Sequence, residues 1–298
     1  MKAVIFPNLQ KVNALSCARN VCDTLNSNDF EVIADPQLRA LFYDKSFLKY
    51  APFEESVRDA DFAVAIGGDG TILRCAKALM GSSAMLLGIN TGRLGFMASI
   101  EPSQLHELVR LKTGDYRVSK RMMLCGDLTD EKGYTFQHFT ALNDIVLGRQ
   151  FARVIDFSVY RNEVLLGQYR ADGAIFSTPT GSTAYALSAG GSVIEPEFSC
   201  IGFTLVCPHS LASRPILFSP ESRLCVRLSI RDGSDVYISS DGETPVPFDS
   251  SSHLTIYRSE HTIQLVDLSG NTFFDSLNRK ITHSLKGNGS LEVGGGFI

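Results

Sequence analysis

The run Gly67-Gly68-Asp69-Gly70-Thr71 follows the apolar segment Phe62–Ile66 and opens an amphipathic stretch. A buried strand that ends in glycines and feeds a helix suits phosphate. Glycine lets backbone approach a ligand, and a helix N-terminus offers free N–H groups and a positive dipole. No G-x-x-x-x-G-K-[ST] run occurs, and Leu73 stands at the third glycine of the dinucleotide fingerprint. Asp69 is unusual there, because a carboxylate repels phosphate unless it has a task. Two tasks are open: general base toward a hydroxyl, or partner of the metal that accompanies a nucleoside triphosphate. An ordinary strand-to-helix turn capped by Asp69 explains the spacing equally well.

Three further clusters carry polar chemistry. Asn90-Thr91-Gly92-Arg93-Leu94-Gly95-Phe96 follows a second apolar run, Met85–Ile89. Ligands of open α/β sheets sit beyond the carboxyl ends of strands, so two such loops at one edge reinforce each other. Asp172-Gly173 precedes Ala174–Ser177 and then Thr178-Pro-Thr-Gly-Ser-Thr183-Ala184-Tyr185-Ala186-Leu187-Ser188. The hydroxyls of Ser177, Thr178, Thr180, Ser182, Thr183, Tyr185 and Ser188, with the N–H groups of a following helix, suit a phosphate or pyrophosphate. Tyr185 offers a ring for stacking. Asn143-Asp144 pairs an amide that can read a base with a carboxylate that can accept from ribose hydroxyls. Each cluster alone also reads as a tight turn or a capped loop.

The elements that must position these residues fall into two patterns. Up to about residue 115, apolar runs at Ala3–Phe6, Phe30–Ala34, Phe62–Ile66 and Met85–Ile89 alternate with helical spacings over Leu9–Leu25, Thr71–Met80 and Ser103–Leu111. Ser103 is the expected N-cap of the last. This predicts an α/β domain with a parallel sheet. From Tyr116 to about Val266 short β-like runs dominate, punctuated by Gly, Asp, Asn and Pro. They predict a β-rich, antiparallel, sandwich-like second domain. The expected division is 1–120, 121–265 and 266–298. In the last part a helix over Phe273–Ile281 packs back on the first domain, and a Gly-rich tail follows.

Composition narrows the function classes. The chain has 298 residues, 44% of them hydrophobic, and 28 Lys+Arg against 32 Asp+Glu give a net charge of −4. A nucleic-acid coat protein needs a basic face and is excluded. No run approaches the ~20 apolar residues of a membrane span. Seven cysteines with no C-x-x-C pair argue against a zinc ribbon or disulfide framework and for a reducing, cytoplasmic setting. No G-x-S-x-G elbow supports a serine hydrolase.

Taken together, Gly67–Thr71, Asn90–Phe96, Asn143-Asp144, Asp172-Gly173 and Ser177–Tyr185 resemble the NAD kinase family. Gly-Gly-Asp-Gly-Thr is shared with diacylglycerol and sphingosine kinases; the Asn90–Phe96 and Thr178–Tyr185 runs are far more specific. The resemblance implies transfer of a phosphoryl group from ATP, or polyphosphate, to the 2′-hydroxyl of the adenosine ribose of NAD. A divalent metal, Mg2+, is implied with it. It makes Asp69 the proton acceptor, with Gly70 beside the ligand. Gly67, Gly68, Gly70, Thr71 and Asn90 become the phosphate side. Asn143, Asp144, Arg153, Arg170, Asp172, Thr183–Ser188 and Glu243 become the dinucleotide side. Pro208–Pro215 resembles a subunit-contact segment, which implies a homodimer or homotetramer. Two positions depart from the family pattern. Asn143-Asp144 replaces Asn-Glu, and Asp241-Gly242-Glu243 replaces Asp-x-Gln, which adds a negative charge near an anionic ligand. A lipid kinase would need a basic membrane-facing surface, which the charge balance does not favour. A non-catalytic NADP(H) sensor would bind without turning ATP over.

Overall fold

The computed structural model describes residues 1–11, 13–92, 95–149, 154–210, 213–229 and 235–278. The first unit alternates strand and helix: β1 (Lys2–Pro7), α1 (Ala14–Ser27), β2 (Glu31–Ala34), β3 (Lys49–Tyr50), α2 (Phe53–Ser56), β4 (Phe62–Gly67), α3 (Asp69–Ala78), β5 (Met85–Asn90) and α4 (Val109–Thr113). The strands pair in parallel in the order β5-β4-β1-β2-β3. Every residue of β4 is buried, as a parallel strand covered on both faces requires. One apolar cluster packs α1 and the Pro102–Leu108 turn on one face, and another packs α3 on the other.

The second unit is antiparallel. Its strands are β6 (Arg117–Asp130), β7 (Thr135–Ala141), β8 (Asp144–Arg149), β9 (Ile155–Arg161), β10 (Val164–Ala171), β11 (Gly173–Ser177), β12 (Ile201–Val206), β13 (Ile216–Phe218), β14 (Leu224–Leu228), β15 (Val236–Ser240), β16 (Val246–Pro247) and β17 (Ser252–Asp267), with the single-turn helix α5 (Tyr185–Ser188). A six-stranded sheet, β13-β12-β11-β8-β15-β16, faces β6, β9, β14 and β17 of an 11-stranded sheet. Phe157, Val226 and Leu254 from one sheet meet Ile145, Phe176 and Ile238 from the other in a shared core, so the unit is a sandwich. The long β17 pairs antiparallel with β6 and, at Leu265, parallel with Leu86 of β5. One sheet thereby runs through both units.

Several elements differ from expectation. The helix expected from Leu9 begins at Ala14, because Asn8 N–H donates to the Ile66 carbonyl (2.9 Å) and Lys11 N–H to the Asn8 carbonyl (3.1 Å), which hold a turn there. The helix expected over Ser103–Leu111 is a 3-10 turn, Pro102–Leu108, that leads into α4. Glu101, not Ser103, caps it through a reciprocal box with Gln104. The helix expected near Thr183 is a 3-10 turn at Gly181–Thr183 followed by α5, which ends where Gly190 takes a φ of +83°. β7 and β10 carry no clear apolar alternation, so the sequence pattern does not mark them. Residues 273–278 are helical; the rest of the expected helix and the Gly-rich tail lie outside the described residues. All seven cysteines are free. Among the described residues no helix is long and apolar enough to cross a membrane.

Candidate active site

Three parallel strands deliver their loops to one edge. Gly67 sits opposite Asn90 in the β4–β5 register, and Pro7 opposite Ile66 in the β1–β4 register. Thr91 N–H donates to the Gly67 carbonyl at 3.0 Å. Asn8 Nδ2 donates to Thr71 Oγ1 at 3.2 Å. A Cβ at Gly67 would lie 2.3 Å from that same hydroxyl, so only glycine fits. Asp69 stands in the first turn of α3, where the helix dipole favours a carboxylate. Its carboxylate accepts the Phe96 N–H at 2.9 Å and the Met97 N–H at 3.4 Å. The loop after β5 therefore fixes the orientation of Asp69.

Gly95 completes this arrangement. A Cβ there would lie 1.9 Å from Asp69 Oδ1. The atom that must give way is the end of a side chain rather than backbone, so Gly95→Ala displaces the carboxylate and spares the fold. Misplacing a reacting group by about 1 Å costs on the order of 10²-fold in rate. We expect Gly95→Ala to lower turnover by about that factor while still melting cooperatively, with a stability loss of about 1–3 kcal/mol from the two displaced bonds, measured by steady-state kinetics and thermal denaturation. Full turnover would show that the Asp69 position is not set by this contact.

The sandwich contributes the opposite wall. Asp144 lies across from Ser177 in the β8–β11 register and Ile145 across from Ser240 in the β8–β15 register. The loops before β8, after β11 and after β15 therefore leave at one end. Thr178 N–H donates to the Asn143 carbonyl (2.8 Å), and Thr178 Oγ1 donates to the Leu142 carbonyl (2.5 Å). The Asp241 carboxylate accepts the N–H groups of Leu142 (2.9 Å), Asn143 (2.8 Å) and Asp144 (3.1 Å). Asp241 and Asn143-Asp144 thus form one unit.

Between the two walls lies a cleft of about 1210 Å³. Gly68–Thr71, Gly92, Asn8, Lys11 and Arg74 line one side, and Asp241–Thr244 line the other. Lys11 and Arg74 are cations on its surface. Lys77, on α3, reaches Glu243 Oε2 at 2.8 Å and Asp241 Oδ2 at 3.7 Å. The added charge of Glu243 is thereby paired.

Burial, and then the nearby Asp241 carboxylate, push the Asp144 carboxyl up to about 7, against an opposing pull from Lys77. Burial also raises Asp241. The Asp144 carboxyl ionises near 3.8 when unperturbed but holds its proton to about 7 in the folded chain. Between these values the folded state binds the extra proton, so stability falls as pH rises. We expect Asp144→Asn to gain melting temperature relative to the native chain as pH climbs from 3.8 to about 7, because only the native chain loses this contribution. An identical pH profile in the variant would count against a buried, protonated Asp144.

The structure brings Gly68, Asp69, Gly70 and Thr71 together with Glu243 on the cleft, leaves Gly67 buried behind them at the end of β4, and ties Asn143-Asp144 to the cleft through Asp241. Asn90 is buried, and its Oδ1 accepts the Gly92 N–H at 3.0 Å within its own loop. Thr178 and Ser182 spend their hydroxyls internally, Ser182 donating to the Pro179 carbonyl (2.7 Å) and accepting the Ile194 N–H (3.0 Å). Thr183 Oγ1 donates to the Thr180 carbonyl. Tyr185, Leu187 and Ser188 are exposed, Ala184 is half-buried and Ala186 points inward. Arg170 is exposed at the end of β10, 3.8 Å from Asp156, and Asp172 follows it. No described contact joins Arg170 or Asp172 to the cleft. Arg153 lies outside the described residues. Sequence reasoning missed Asn8, Lys11, Arg74 and Lys77. The end of the first strand pointed to Asn8, and the i, i+4 step from Gly70 pointed to Arg74.

This geometry has close relatives. The ATP-NAD kinase N-terminal domain matches residues 4–113, and the ATP-NAD kinase C-terminal domain matches residues 142–268. An NAD kinase of Geobacter metallireducens is 38% identical over 224 residues, 74% of this chain and 78% of the relative. An NAD kinase of Caldanaerobacter subterraneus subsp. tengcongensis is 35% identical over 285 residues, 94% of this chain and 99% of the relative. Yeast NADH kinase complexed with NADH shares the fold with a TM-score of 0.85 at 24% identity, covering 99% of this chain and 90% of that one. An NAD kinase from Archaeoglobus fulgidus in complex with ATP superposes with a TM-score of 0.71 at 26% identity, covering 95% and 99%. With a glycine-flanked aspartate on the cleft, both domains matched and relatives aligned along most of its length, the chain belongs to the NAD kinase family.

Proposed function

We propose that the chain transfers a phosphoryl group from ATP to the 2′-hydroxyl of the adenosine ribose of NAD, giving NADP. The observation that carries this reading is the placement of Asp69. Its carboxylate is anchored by two backbone N–H groups, on a cleft that also carries Lys11 and Arg74. In the proposed reaction Asp69 accepts the proton of the attacking hydroxyl. A Cβ added at Gly68 or Gly70 would meet nothing within 4 Å, so ligand can approach their backbone closely. Lys11 and Arg74 offset phosphate charge. Asn143, Asp144, Arg170, Asp172 and Thr183–Ser188 are the residues we assign to the dinucleotide, together with Arg153. Phosphoryl transfer depends chiefly on positioning and charge neutralisation, which this arrangement supplies.

The reading implies Mg2+ alongside ATP. Mg2+ takes one or two carboxylates and completes its octahedron with phosphate oxygens and water, so ATP would supply most of its ligands. When bound, the ion neutralises charge on the transferring phosphates.

We read the chain as two units, 1–120 and 121–265, with the described residues after 265, up to Asn278, returning to the first. The Arg110 bond to the Leu268 carbonyl (2.8 Å) and the Phe96–Phe273 ring contact (6.5 Å) support that return. Pro208–Pro215 is assigned to a homo-oligomer contact. Free cysteines suit a cytoplasmic setting. A matrix of ATP or polyphosphate against NAD or NADH, with Mg2+ and with NADP(H) counted as product, tests the whole. NADP formation with ATP is the expected result, and no phosphorylated dinucleotide under any pairing overturns it.

A further inference from the structure

Lys77 has no place in the chemistry described so far, yet it bridges the two walls of the cleft. It lies on α3, whose first residue is Asp69. Gly70, Arg74 and Lys77 follow one another along one helix face at steps of four and three. The first two line the cleft, and Lys77 lies one turn deeper, its side chain only 14% exposed. Its ammonium donates to Ser240 Oγ (3.1 Å) and the Ser240 carbonyl (3.4 Å) and pairs with Glu243 (2.8 Å) and Asp241 (3.7 Å). All four acceptors belong to the other wall.

Asp241 is the partner that matters. Its side chain is 1% exposed, and its oxygens hold the Leu142, Asn143 and Asp144 N–H groups. Its own backbone is left-handed, with a φ of +51°, followed by Gly242 at +73°. Asp-Gly is a pair that a tight turn with two left-handed residues takes readily, and the Glu243 N–H closes that turn on the Ser240 carbonyl at 3.0 Å. The three amides and Lys77 fix the Asp241 side chain. Without the ammonium, two carboxylates would face each other and an anionic ligand with no counter-charge, one of them fully desolvated.

We propose that Lys77 is a positioning residue of the nucleotide site: by holding Asp241, it sets the Asn143–Asp144 turn at a fixed place relative to Asp69 on its own helix. The assignment rests on reading the cleft as the NAD site. Lys77 contacts its partners, not the reacting atoms, so its removal weakens dinucleotide binding more than it slows the chemical step.

The test compares Lys77→Met, Asp241→Asn and the double variant, each checked for a cooperative melt. We expect each single variant to raise KM for NAD about tenfold and to change kcat by less than about threefold. The double variant should be no worse than the more affected single one, because both changes cut one linkage. Calorimetric titration of NAD without a phosphoryl donor should show the same tenfold loss. If Lys77→Met does not fold, Lys77→Gln keeps hydrogen bonding to Ser240, removes only the charge, and carries the same expectation. An unchanged KM, a loss confined to kcat, or effects that multiply in the double variant would overturn the proposal. If the native chain binds NAD but makes no NADP, the functional reading fails while the titration still decides the role of Lys77.

Discussion

Asp69→Asn is expected to lower kcat by about 10²–10⁴-fold, the range that a positioned general base contributes, with little change in fold. An amide cannot take the proton of the 2′-hydroxyl, but it fills the same volume beside Gly95. Its one oxygen keeps the Phe96 N–H at 2.9 Å. It gives up the longer bond to Met97 N–H at 3.4 Å, for a stability loss of about 1 kcal/mol at most. Steady-state kinetics beside a denaturant titration separate the two effects. A variant with full kcat would remove Asp69 from the reaction. A variant that fails to melt cooperatively would make it a structural cap.

Gly181→Ala has the largest expected effect on stability. A Cβ there would lie 2.0 Å from the Asn143 carbonyl oxygen and 2.4 Å from its carbon. Both are backbone, and neither is free to move. The Thr178 N–H holds that carbonyl, and the Asp241 carboxylate holds the amides on both sides of it. Overpacking of this kind costs about 1–3 kcal/mol, and the constraint on Asn143 places it at the upper end. We expect a clear fall in the denaturant midpoint and a raised KM for NAD. Gly70→Ala is the contrasting case. It sits in α3, where an added Cβ would have nothing within 4 Å, and alanine favours helix by about 1 kcal/mol over glycine. Its stability should hold or rise while turnover falls, because ligand occupies the space. Equal stability in both variants would mean that the Asn143 turn yields more readily than its bonds indicate.

These contrasts show why residue types alone underdetermine such sites. Thr178 and Ser182 stand in a hydroxyl-rich run that suits phosphate, yet their hydroxyls bond the Leu142 and Pro179 carbonyls and brace the turn. Which role a hydroxyl takes depends on which carbonyl the fold brings near it. Asp241-Gly242-Glu243 reads as an extra negative charge beside an anionic ligand. Lys77, 163 residues from Ser240 in sequence, alters that reading by pairing with Glu243.

The architecture, though not every element, is legible in the residues alone: buried parallel strands, glycine loops at their carboxyl ends, and a later run of short antiparallel strands, with β7 and β10 left unmarked. Those features are local. They follow from apolar periodicity and from the few residues that tolerate tight turns. The placement of Asp69 is legible too, because a strand, a glycine cluster and a helix are contiguous in the chain. How the second wall is held emerges only once the chain is folded. The Asp241 carboxylate meets the Leu142 amide across 99 residues, and Lys77 meets the Asp241 loop from the other unit. No periodicity encodes a contact of that span; it exists only when β8, β11 and β15 lie side by side and the shared sheet brings their loops over α3.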